Sequence, residues 1–456
     1  MEDQCVITRT VTVAAGVFAP GHLGELTRIV PFEMVDAALD ATETVRRRVR
    51  VLPARVVVYL LLAGCLFAGS GYRQVWHKLT VNLGGSGGLV VADPSENALW
   101  QARVRLGVAP LRWLFDLLRG PAATAAAAVR WCGLLVCAID GTTMAIPDGA
   151  RNLGVYRKQT GNHGGSGYPL LRLVALVACG TRTVIDAVFG PTSCGETGYT
   201  RRLARSLHAG MIVLLDRGFD DAALIGQLAA TGADLLVRLK SNRKLPVVRR
   251  YRDGSFLSQI GTTRVRVVEC EVTIATAAGR HTGAYRLATT LLDDRRYPAS
   301  ALVTLYHRRW EIETSYLELK STILGGRVLR ARTPAGIAQE VYALLAAYQI
   351  LRIAITDAID AHGGDIDPDR GSFTIALSAA RDMLTLAAGI IADTVIDLAG
   401  AIGRRVLDNL LPDRRLRVSP RVVKRAISKH QARGPNVNRR SYQATISIDI
   451  LAPPGP

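Results

Sequence analysis

The segment from residue 131 to residue 239 places the strongest constraint on the fold, because short β-rich runs alternate there with helical stretches. Five apolar runs have the length and composition of strands: Leu134–Ile139, Leu170–Cys179, Thr183–Phe189, Met211–Leu215 and Asp234–Leu239. Helical segments, Tyr199–His208 and Asp220–Ala230, separate the last three of these runs. This order of elements predicts an α/β sheet covered by helices and argues against an all-helical or all-β fold.

Three strands followed by helix, strand, helix and strand is the order of a ribonuclease H-like domain, and the flanking regions differ from it. Residues 25–130 have helical periodicity throughout, whereas residues 241–298 contain the β-rich runs Thr262–Val272 and Arg280–Leu292. The sequence therefore predicts an all-helical N-terminal domain at 1–130. An α/β domain at 131–330 with a β-rich insertion at about 241–298 follows, and then a C-terminal helical region with a basic tail at 331–456.

The charge of the chain indicates a polyanionic partner. Lys and Arg number 57 against 38 Asp and Glu, which gives a net charge of +19 over 456 residues. Ten basic residues and no acidic one lie between positions 414 and 444: Arg414, Arg415, Arg417, Arg421, Lys424, Arg425, Lys429, Arg433, Arg439 and Arg440. Such a run suits a nucleic-acid backbone, and a solvated tail or an anionic membrane surface are the alternatives. Another cluster is either a DNA contact or a solvated helix face: Arg46, Arg47, Arg48 and Arg50.

Cysteine usage and hydropathy predict a cytoplasmic protein that does not span a membrane. The seven cysteines form no C-x-x-C pair, so neither a disulfide framework nor a zinc ribbon is indicated. The start of the chain lacks the features of a secretory signal. The uncharged stretch from Val56 to Tyr72 is interrupted by glycines and is too short for a strongly apolar span, so we expect a buried helix there.

Two aspartates follow predicted strands, where ligands bind in α/β sheets. Asp140 opens the motif Asp-Gly-Thr-Thr after the first strand, and Asp216 opens Asp-Arg-Gly-Phe after the fourth. Each aspartate alone is as compatible with a turn or a helix cap as with a catalytic role. A third carboxylate is expected on the helix predicted at Pro298–Leu324, where Glu311, Glu313 and Glu318 cannot be ranked by periodicity.

Four polar residues of that helix fall on one stripe at 3.6 residues per turn. They are Tyr306, Arg309, Glu313 and Lys320, which follow the spacing Y-x2-R-x3-E-x6-K. A solvated helix face would explain the Arg and Glu pair alone. With the two aspartate motifs and the intervening β insertion, however, the chain resembles the DDE transposases of the insertion sequence IS-4 family over most of residues 25–360.

The resemblance implies a site and a cofactor. It makes Asp140, Asp216 and Glu313 a catalytic triad that binds two Mg²⁺ ions, with Mn²⁺ as a possible substitute. Magnesium prefers oxygen ligands, and two hard cations about 3.5 to 4 Å apart can activate water and stabilise a leaving oxygen in phosphodiester cleavage. It also implies that Tyr306, Arg309 and Lys320 contact DNA phosphates beside the cleaved bond.

The resemblance further implies cut-and-paste DNA transposition, in which freed 3′-OH ends join target DNA. The partners would be double-stranded transposon ends and target DNA, with a homodimer in the synaptic complex and no membrane, in a bacterial cytoplasm at the nucleoid. Relatives that form a DNA hairpin place a tryptophan in the β insertion, but residues 241–300 contain none. The aromatic residues that could stack on a base instead are Tyr251, Phe256, Tyr285 and Tyr297.

Two other functions compete with this one. The motif at Asp140 resembles the nucleophile motif of haloacid-dehalogenase-like phosphatases, but that motif needs an aspartate where Ala138 stands. A domesticated or inactive transposase that binds DNA without catalysis is the second alternative. Metal-dependent nicking of DNA would distinguish it from an active enzyme.

Overall fold

The structure is a computed structural model of the chain. It describes residues 23–44, 52–81, 92–122, 129–158, 167–363, 366–387, 401–412, 417–418 and 442–451. The arginine cluster at 46–50 and nearly all of the basic run at 414–441 lie outside these ranges. What the sequence predicts for those two segments therefore stays a prediction.

Five helices make up the N-terminal part of the described chain. They are α1 (Phe32–Ala41), α2 (Ala54–Leu66), α3 (Tyr72–Thr80), α4 (Glu96–Leu106) and α5 (Ala109–Leu118). Helix α2 follows Pro53, whose fixed φ suits a helix start. Its residues from Val56 to Leu66 are all buried. The prediction of a buried helix rather than a membrane span is confirmed for this segment.

The central sheet has the strand order expected of a ribonuclease H-like domain. Its strands are β1 (Arg130–Trp131), β2 (Leu134–Ala145), β3 (Leu170–Ala178), β4 (Val184–Pro191), β5 (Met211–Leu215) and β6 (Asp234–Arg238). Strands β2, β3 and β4 pair antiparallel, whereas β5 pairs in parallel with both β2 and β6. Between them lie the helices α6 (Ala150–Leu153), α7 (Glu196–Leu203) and α8 (Ala222–Ala229). The predicted fold class is confirmed.

Both faces of this sheet are buried, which explains the nearly continuous apolar strands. Odd-numbered residues of β2, such as Cys137, belong to a core shared with α7 and α8. Even-numbered residues, such as Val136 and Ala138, belong to a larger core that includes α2, α5 and the helices after the insertion. Because side chains alternate along a strand, each face is fixed by residue parity.

The insertion is an antiparallel sheet that extends the central one, as predicted. Its strands are β7 (Arg249–Arg250), β8 (Phe256–Ile260), β9 (Thr263–Thr276) and β10 (Gly279–Thr289), and β10 pairs with β6. The C-terminal part of the chain adds β11 (Arg417–Val418) and β12 (Tyr442–Ile450). Strand β12 pairs with β9, so the region predicted as a basic tail ends in a strand of the insertion sheet.

The predicted helix at Pro298–Leu324 is divided into four consecutive helical segments, two of them α-helical, one 3₁₀ and one π. Helix α9 (Ala299–Tyr306) leads into a 3₁₀ turn (His307–Arg309), then α10 (Trp310–Leu317) and a π-helical turn (Glu318–Ile323). The chain continues in α11 (Pro334–His362), α12 (Phe373–Ala387) and α13 (Ala401–Leu407). Helix α11 packs on α2 and α5, so the N-terminal and C-terminal helices share one core.

Helix α11 is long and apolar enough by composition to cross a membrane, and it is the one such helix among the described residues. Within the protein, 83% of its most apolar window is buried. Its apolar character is therefore explained by its place at the centre of the helical core, as for α2.

Candidate active site

The two aspartates lie side by side where β2 and β5 part. The parallel pairing of these strands ends at Ile139 and Leu215, so Asp140 and Asp216 occupy equivalent positions one residue further on. Both are even-numbered and continue the face of the sheet that α10 covers. The expectation that Asp140 ends its strand is wrong, because β2 continues to Ala145 by pairing with β3. Asp216 does follow the end of β5.

Local hydrogen bonds orient both carboxylates. Asp140 Oδ1 accepts a hydrogen bond from the backbone N–H of Gly141 at 2.8 Å. Asp216 caps a 3₁₀ turn (Arg217–Phe219), and its Oδ1 accepts from the N–H of Gly218 at 2.7 Å. A Cβ at position 218 would lie 2.9 Å from that oxygen, which explains the glycine in the Asp-Arg-Gly-Phe motif.

Burial opposes ionisation of the Asp140 carboxyl. Its side chain is 17% exposed. Burial raises the pKa of Asp140 to about 6, although the Gly141 hydrogen bond and the charge of Arg309 act in the opposite direction. The nearby carboxylates Asp216 and Glu313 add smaller repulsive contributions to the same pKa. Such a group ionises readily only near neutral pH or beside a cation.

The structure separates the three glutamates that periodicity could not rank. Glu311 is buried and accepts a hydrogen bond from the backbone N–H of Gly180. Glu318 is buried in ion pairs with Arg182 and Arg352. Glu313, by contrast, has a side chain that is 43% exposed and lines an open cavity beside the two aspartates. It is the glutamate available to a ligand.

This cavity has a volume of about 740 Å³ and brings all six predicted site residues together. Asp140, Asp216 and Glu313 line it, and so do Tyr306, Arg309 and Lys320. The four residues of the stripe stay on one side although the helix is irregular. A 3₁₀ turn is tighter and a π turn wider than an α-helical turn, so their deviations in rotation per residue partly compensate. Strands β9 and β10 form the opposite wall with Val272, Tyr285 and Leu287.

Arg309 bridges two of the three carboxylates. Its guanidinium lies 3.4 Å from Asp140 Oδ2 and 3.1 Å from Glu313 Oε1. Its side chain is 10% exposed, and its Nε has no hydrogen-bond partner among the described residues. A cation in this position offsets the repulsion between the carboxylates.

The other two residues of the stripe also make defined contacts. Lys320 Nζ donates a hydrogen bond to Thr142 Oγ1 at 3.0 Å, on the strand that carries Asp140. The hydroxyl of Tyr306 donates to the carbonyl of Leu215 at 3.2 Å and is buried. Lys320 therefore stands at the cavity wall, whereas the hydroxyl of Tyr306 is directed into the protein.

The donor set of the cavity fits a hard divalent cation. Three carboxylates supply oxygen ligands, and the open cavity leaves room for water and phosphate. As the side chains stand, no group of three or more His, Cys, Asp and Glu among the described residues is close enough to hold an ion. The Arg309 guanidinium occupies the space between Asp140 and Glu313, so metal binding requires this cation to move aside.

Some cavity residues were not identified from the sequence. Tyr316 stands at an apolar position of α10, and its hydroxyl contacts the main chain of Asp140. Arg238, at the end of β6, lies over the ring of Tyr285 with 3.8 Å to the ring centroid. Trp310 is exposed at the cavity. These positions follow apolar or strand patterns, so local spacing carries no signal for them.

Of the four aromatic residues considered in the insertion, Tyr285 lines the cavity. Phe256 and Tyr297 are buried in the core, and Tyr251 lies beside Arg249. Tyr285 is therefore the one of the four that lines this cavity. Ala138, where a phosphatase of the haloacid-dehalogenase type needs an aspartate, is fully buried in β2.

Comparisons with known proteins give matches over most of the chain. Residues 20–116 match the family model of the insertion element 4 transposase N-terminal region, and residues 131–350 match that of the transposase DDE domain. The transposase InsG for insertion sequence element IS4 of Escherichia coli is 27% identical over 408 residues, which cover 86% of this chain and 90% of InsG. The putative transposase InsZ of Escherichia coli is 29% identical over 198 residues, covering 43% and 63% of the two chains.

Among solved structures, the chain is similar to a piggyBac transposase in a synaptic complex with hairpin DNA, determined by cryo-electron microscopy. The two sequences are 12% identical, the TM-score is 0.42, and the match covers 89% of this chain and 88% of the other.

Proposed function

Because the chain belongs to the insertion sequence IS-4 family of DDE transposases, we propose that Asp140, Asp216 and Glu313 are the triad with which it cuts and joins DNA. The chain is a DNA transposase, and its family uses divalent metal ions. The observation that carries the assignment is that these three carboxylates, separated by up to 173 positions, line one cavity together with basic residues.

The metal ions are proposed to be two Mg²⁺, for which Mn²⁺ can substitute. When bound, they would supply an activated water or 3′-OH and would stabilise the leaving oxygen. Asp140, Asp216 and Glu313 would hold these ions. Because burial raises the pKa of Asp140 to about 6, protons would compete with the metal for this carboxylate below about pH 6.

Arg309 and Lys320 are proposed to hold the DNA backbone beside the cut. In the metal-free site, Arg309 neutralises Asp140 and Glu313. Once released from them, its planar fork can donate two hydrogen bonds to one phosphate. Lys320 offers a compact charge at the same wall. Tyr306 was predicted to be a third phosphate contact, but its hydroxyl donates to the carbonyl of Leu215.

The remaining parts of the chain have proposed roles in DNA handling. We assign the helical unit at 1–130 and the C-terminal region at 331–456 to binding of transposon ends, and the unit at 131–330 to catalysis. Two ends must be held together for cut-and-paste transposition, so the active complex is proposed to be a homodimer on DNA at the nucleoid, in the cytoplasm. If a hairpin forms, Tyr285 is the insertion residue proposed to stack on a base.

A nicking assay tests the triad. DNA carrying the inverted repeats that flank the gene is incubated with protein and Mg²⁺, and strand cleavage is followed on denaturing gels. Glu313→Gln keeps the shape of the side chain but removes a metal ligand, so we expect cleavage to fall by at least about a thousandfold while DNA binding persists, because Arg and Lys contacts supply that affinity.

Asp382→Asn is the matched control. The Asp382 side chain is 51% exposed, comparable to the 43% of Glu313, and it also forms an ion pair with an arginine, Arg405. Asp382 lies on α12 and is not among the residues that line the cavity. We expect cleavage by this variant within about twofold of wild type, as for most exposed substitutions. Cleavage at the wild-type rate by Glu313→Gln would overturn the assignment.

A further inference from the structure

Two buried tyrosines connect the segment that carries Glu313 to the strands that carry the aspartates. The hydroxyl of Tyr316 donates a hydrogen bond to the carbonyl of Asp140 at 2.6 Å and accepts one from the N–H of Ala175 at 3.1 Å. Asp140 and Ala175 are paired residues of β2 and β3. The Tyr316 hydroxyl therefore lies between two strands, at the residue whose side chain is the first carboxylate.

Tyr306 makes the corresponding contact to the other strand. Its hydroxyl donates to the carbonyl of Leu215, the last residue of β5, which directly precedes Asp216. One tyrosine lies seven residues before Glu313 and the other three residues after it. The helical segment is thus hydrogen-bonded to the main chain at Asp140 and at the residue before Asp216. Its own glutamate, Glu313, lines the same cavity.

These contacts lie beyond the last residue pair between β2 and β5, where the pairing of these strands no longer fixes the spacing of the aspartates. The parallel pairs between β2 and β5 end at Ile139 and Leu215, so no pair of that ladder joins Asp140 to Asp216. The residues from Tyr306 to Tyr316 connect β2 at Asp140 with the end of β5 at this level. A shift of this segment would change all three distances between the carboxylates.

We propose that Tyr306 and Tyr316 are positioning residues that set the spacing of the three carboxylates for metal binding. The inference rests on the proposed triad. Both rings are buried, and burial raises the pKa of both hydroxyls, so they remain protonated donors at any pH of interest. Hydrogen-bond partners outside the ligand shell typically change metal affinity by about 10- to 100-fold when removed.

This role differs from the phosphate contact predicted for Tyr306. A phosphate oxygen accepts hydrogen bonds, so Tyr306 would have to give its one hydroxyl proton to DNA. That proton is directed to Leu215 in the protein interior. Breaking this bond would leave a carbonyl without its partner beside Asp216, which opposes such a switch.

The test compares Tyr316→Phe and Tyr306→Phe with Tyr59→Phe. Tyr59 is a matched control because its buried hydroxyl also donates to a backbone carbonyl, that of Val30 at 2.9 Å, but in the N-terminal helices. Binding of Mn²⁺ to the protein without DNA is measured by electron paramagnetic resonance of the free ion. The Mn²⁺ concentration that gives half-maximal nicking, the affinity for transposon-end DNA and the melting temperature are measured alongside.

We expect each active-site variant to weaken Mn²⁺ binding, and to raise the half-maximal Mn²⁺ concentration, by about tenfold. Saturating Mn²⁺ should restore most of the nicking rate, and DNA affinity should stay within about twofold of wild type. Tyr59→Phe should change the melting temperature alone. If Tyr316→Phe is too unstable to measure, p-aminophenylalanine at position 316 keeps a donor and should restore the wild-type Mn²⁺ affinity.

Three results are distinguishable. Wild-type Mn²⁺ affinity in both Phe variants would overturn the positioning role. A Tyr306→Phe protein with normal Mn²⁺ affinity but weaker DNA binding would establish the phosphate contact instead. Wild-type Mn²⁺ binding by Glu313→Gln would show that the triad itself is wrong, which is a separate failure.

Discussion

The buried carboxyl of Asp140 should make the metal-free enzyme less stable at neutral pH than its Asp140→Asn variant. The pKa of Asp140 is raised by burial from the usual 3.8 to about 6. Below pH 4 both the native and the unfolded chain hold this proton. Between pH 4 and pH 6 the unfolded chain loses it first, so a stabilising contribution present at low pH is lost as the pH rises through about 6.

The size of the effect follows from the shift. At about 1.4 kcal/mol per pKa unit, a rise in pKa of roughly two units lowers the free energy of unfolding by about 3 kcal/mol above pH 6. Unfolding entropy of about 2 cal/mol/K per residue gives roughly 1 kcal/mol/K for a chain of this length. Asp140→Asn, which imitates the protonated carboxyl, should therefore melt about 3 °C higher than wild type at pH 8 and at nearly the same temperature at pH 4.

The assay is thermal unfolding in a chelating buffer from pH 4 to pH 8, with Asp186→Asn as a contrasting variant. Asp186 is also buried, but hydrogen bonds from Arg205 and Ser206 and the charge of Arg119 outweigh that burial and lower its pKa. Its contribution is present above the unfolded pKa and lost as the pH falls, so Asp186→Asn should be destabilised at pH 8. A pH-independent difference for Asp140→Asn, or a lower melting temperature at pH 8, would refute the reasoning.

Three further predictions concern other parts of the protein. Lys320→Ala should weaken binding to transposon ends and reduce the slope of log affinity against log salt by about one, measured by fluorescence anisotropy; an unchanged slope would exclude a phosphate contact. Glu318→Gln should lower stability by about 3 to 5 kcal/mol, because the buried Arg352 loses its carboxylate partner and Arg182 keeps only Asp369. Glu313→Gln should not have this effect, and equal melting temperatures of the two variants would contradict the prediction. Removing residues 442–456 exposes the edge of β9, so the truncated protein should aggregate more readily in light scattering; unchanged scattering would count against it.

Function opposes stability at this site. Burial opposes ionisation of Asp140, and the Arg309 guanidinium, which contacts two carboxylates, has one N–H group without a partner in the part of the chain that the structure describes. Saturating Mg²⁺ should raise the melting temperature of the wild-type protein, since a ligand that binds only the native state stabilises it. The same addition should have little effect on Asp140→Asn, which lacks one of the proposed ligands.

Much of this protein is determined by the sequence alone. The positions of the central strands along the chain, and which face each side chain occupies, follow from apolar runs of strand length, because residue parity and burial act locally along the chain. The stripe of Tyr306, Arg309, Glu313 and Lys320 is a matter of spacing on one helical segment, and all four residues line the cavity despite the 3₁₀ and π turns.

Tertiary structure decides what depends on partners distant in the chain. Glu311 and Glu318 differ from Glu313 only in the groups that face them, which come from Gly180, Arg182 and Arg352. The return of β12 to the insertion sheet likewise pairs residues more than 160 positions apart. Spacing within a helix or a strand fixes which side chains share a face. Which main-chain atom a tyrosine hydroxyl meets is set only when separate strands and helices pack together.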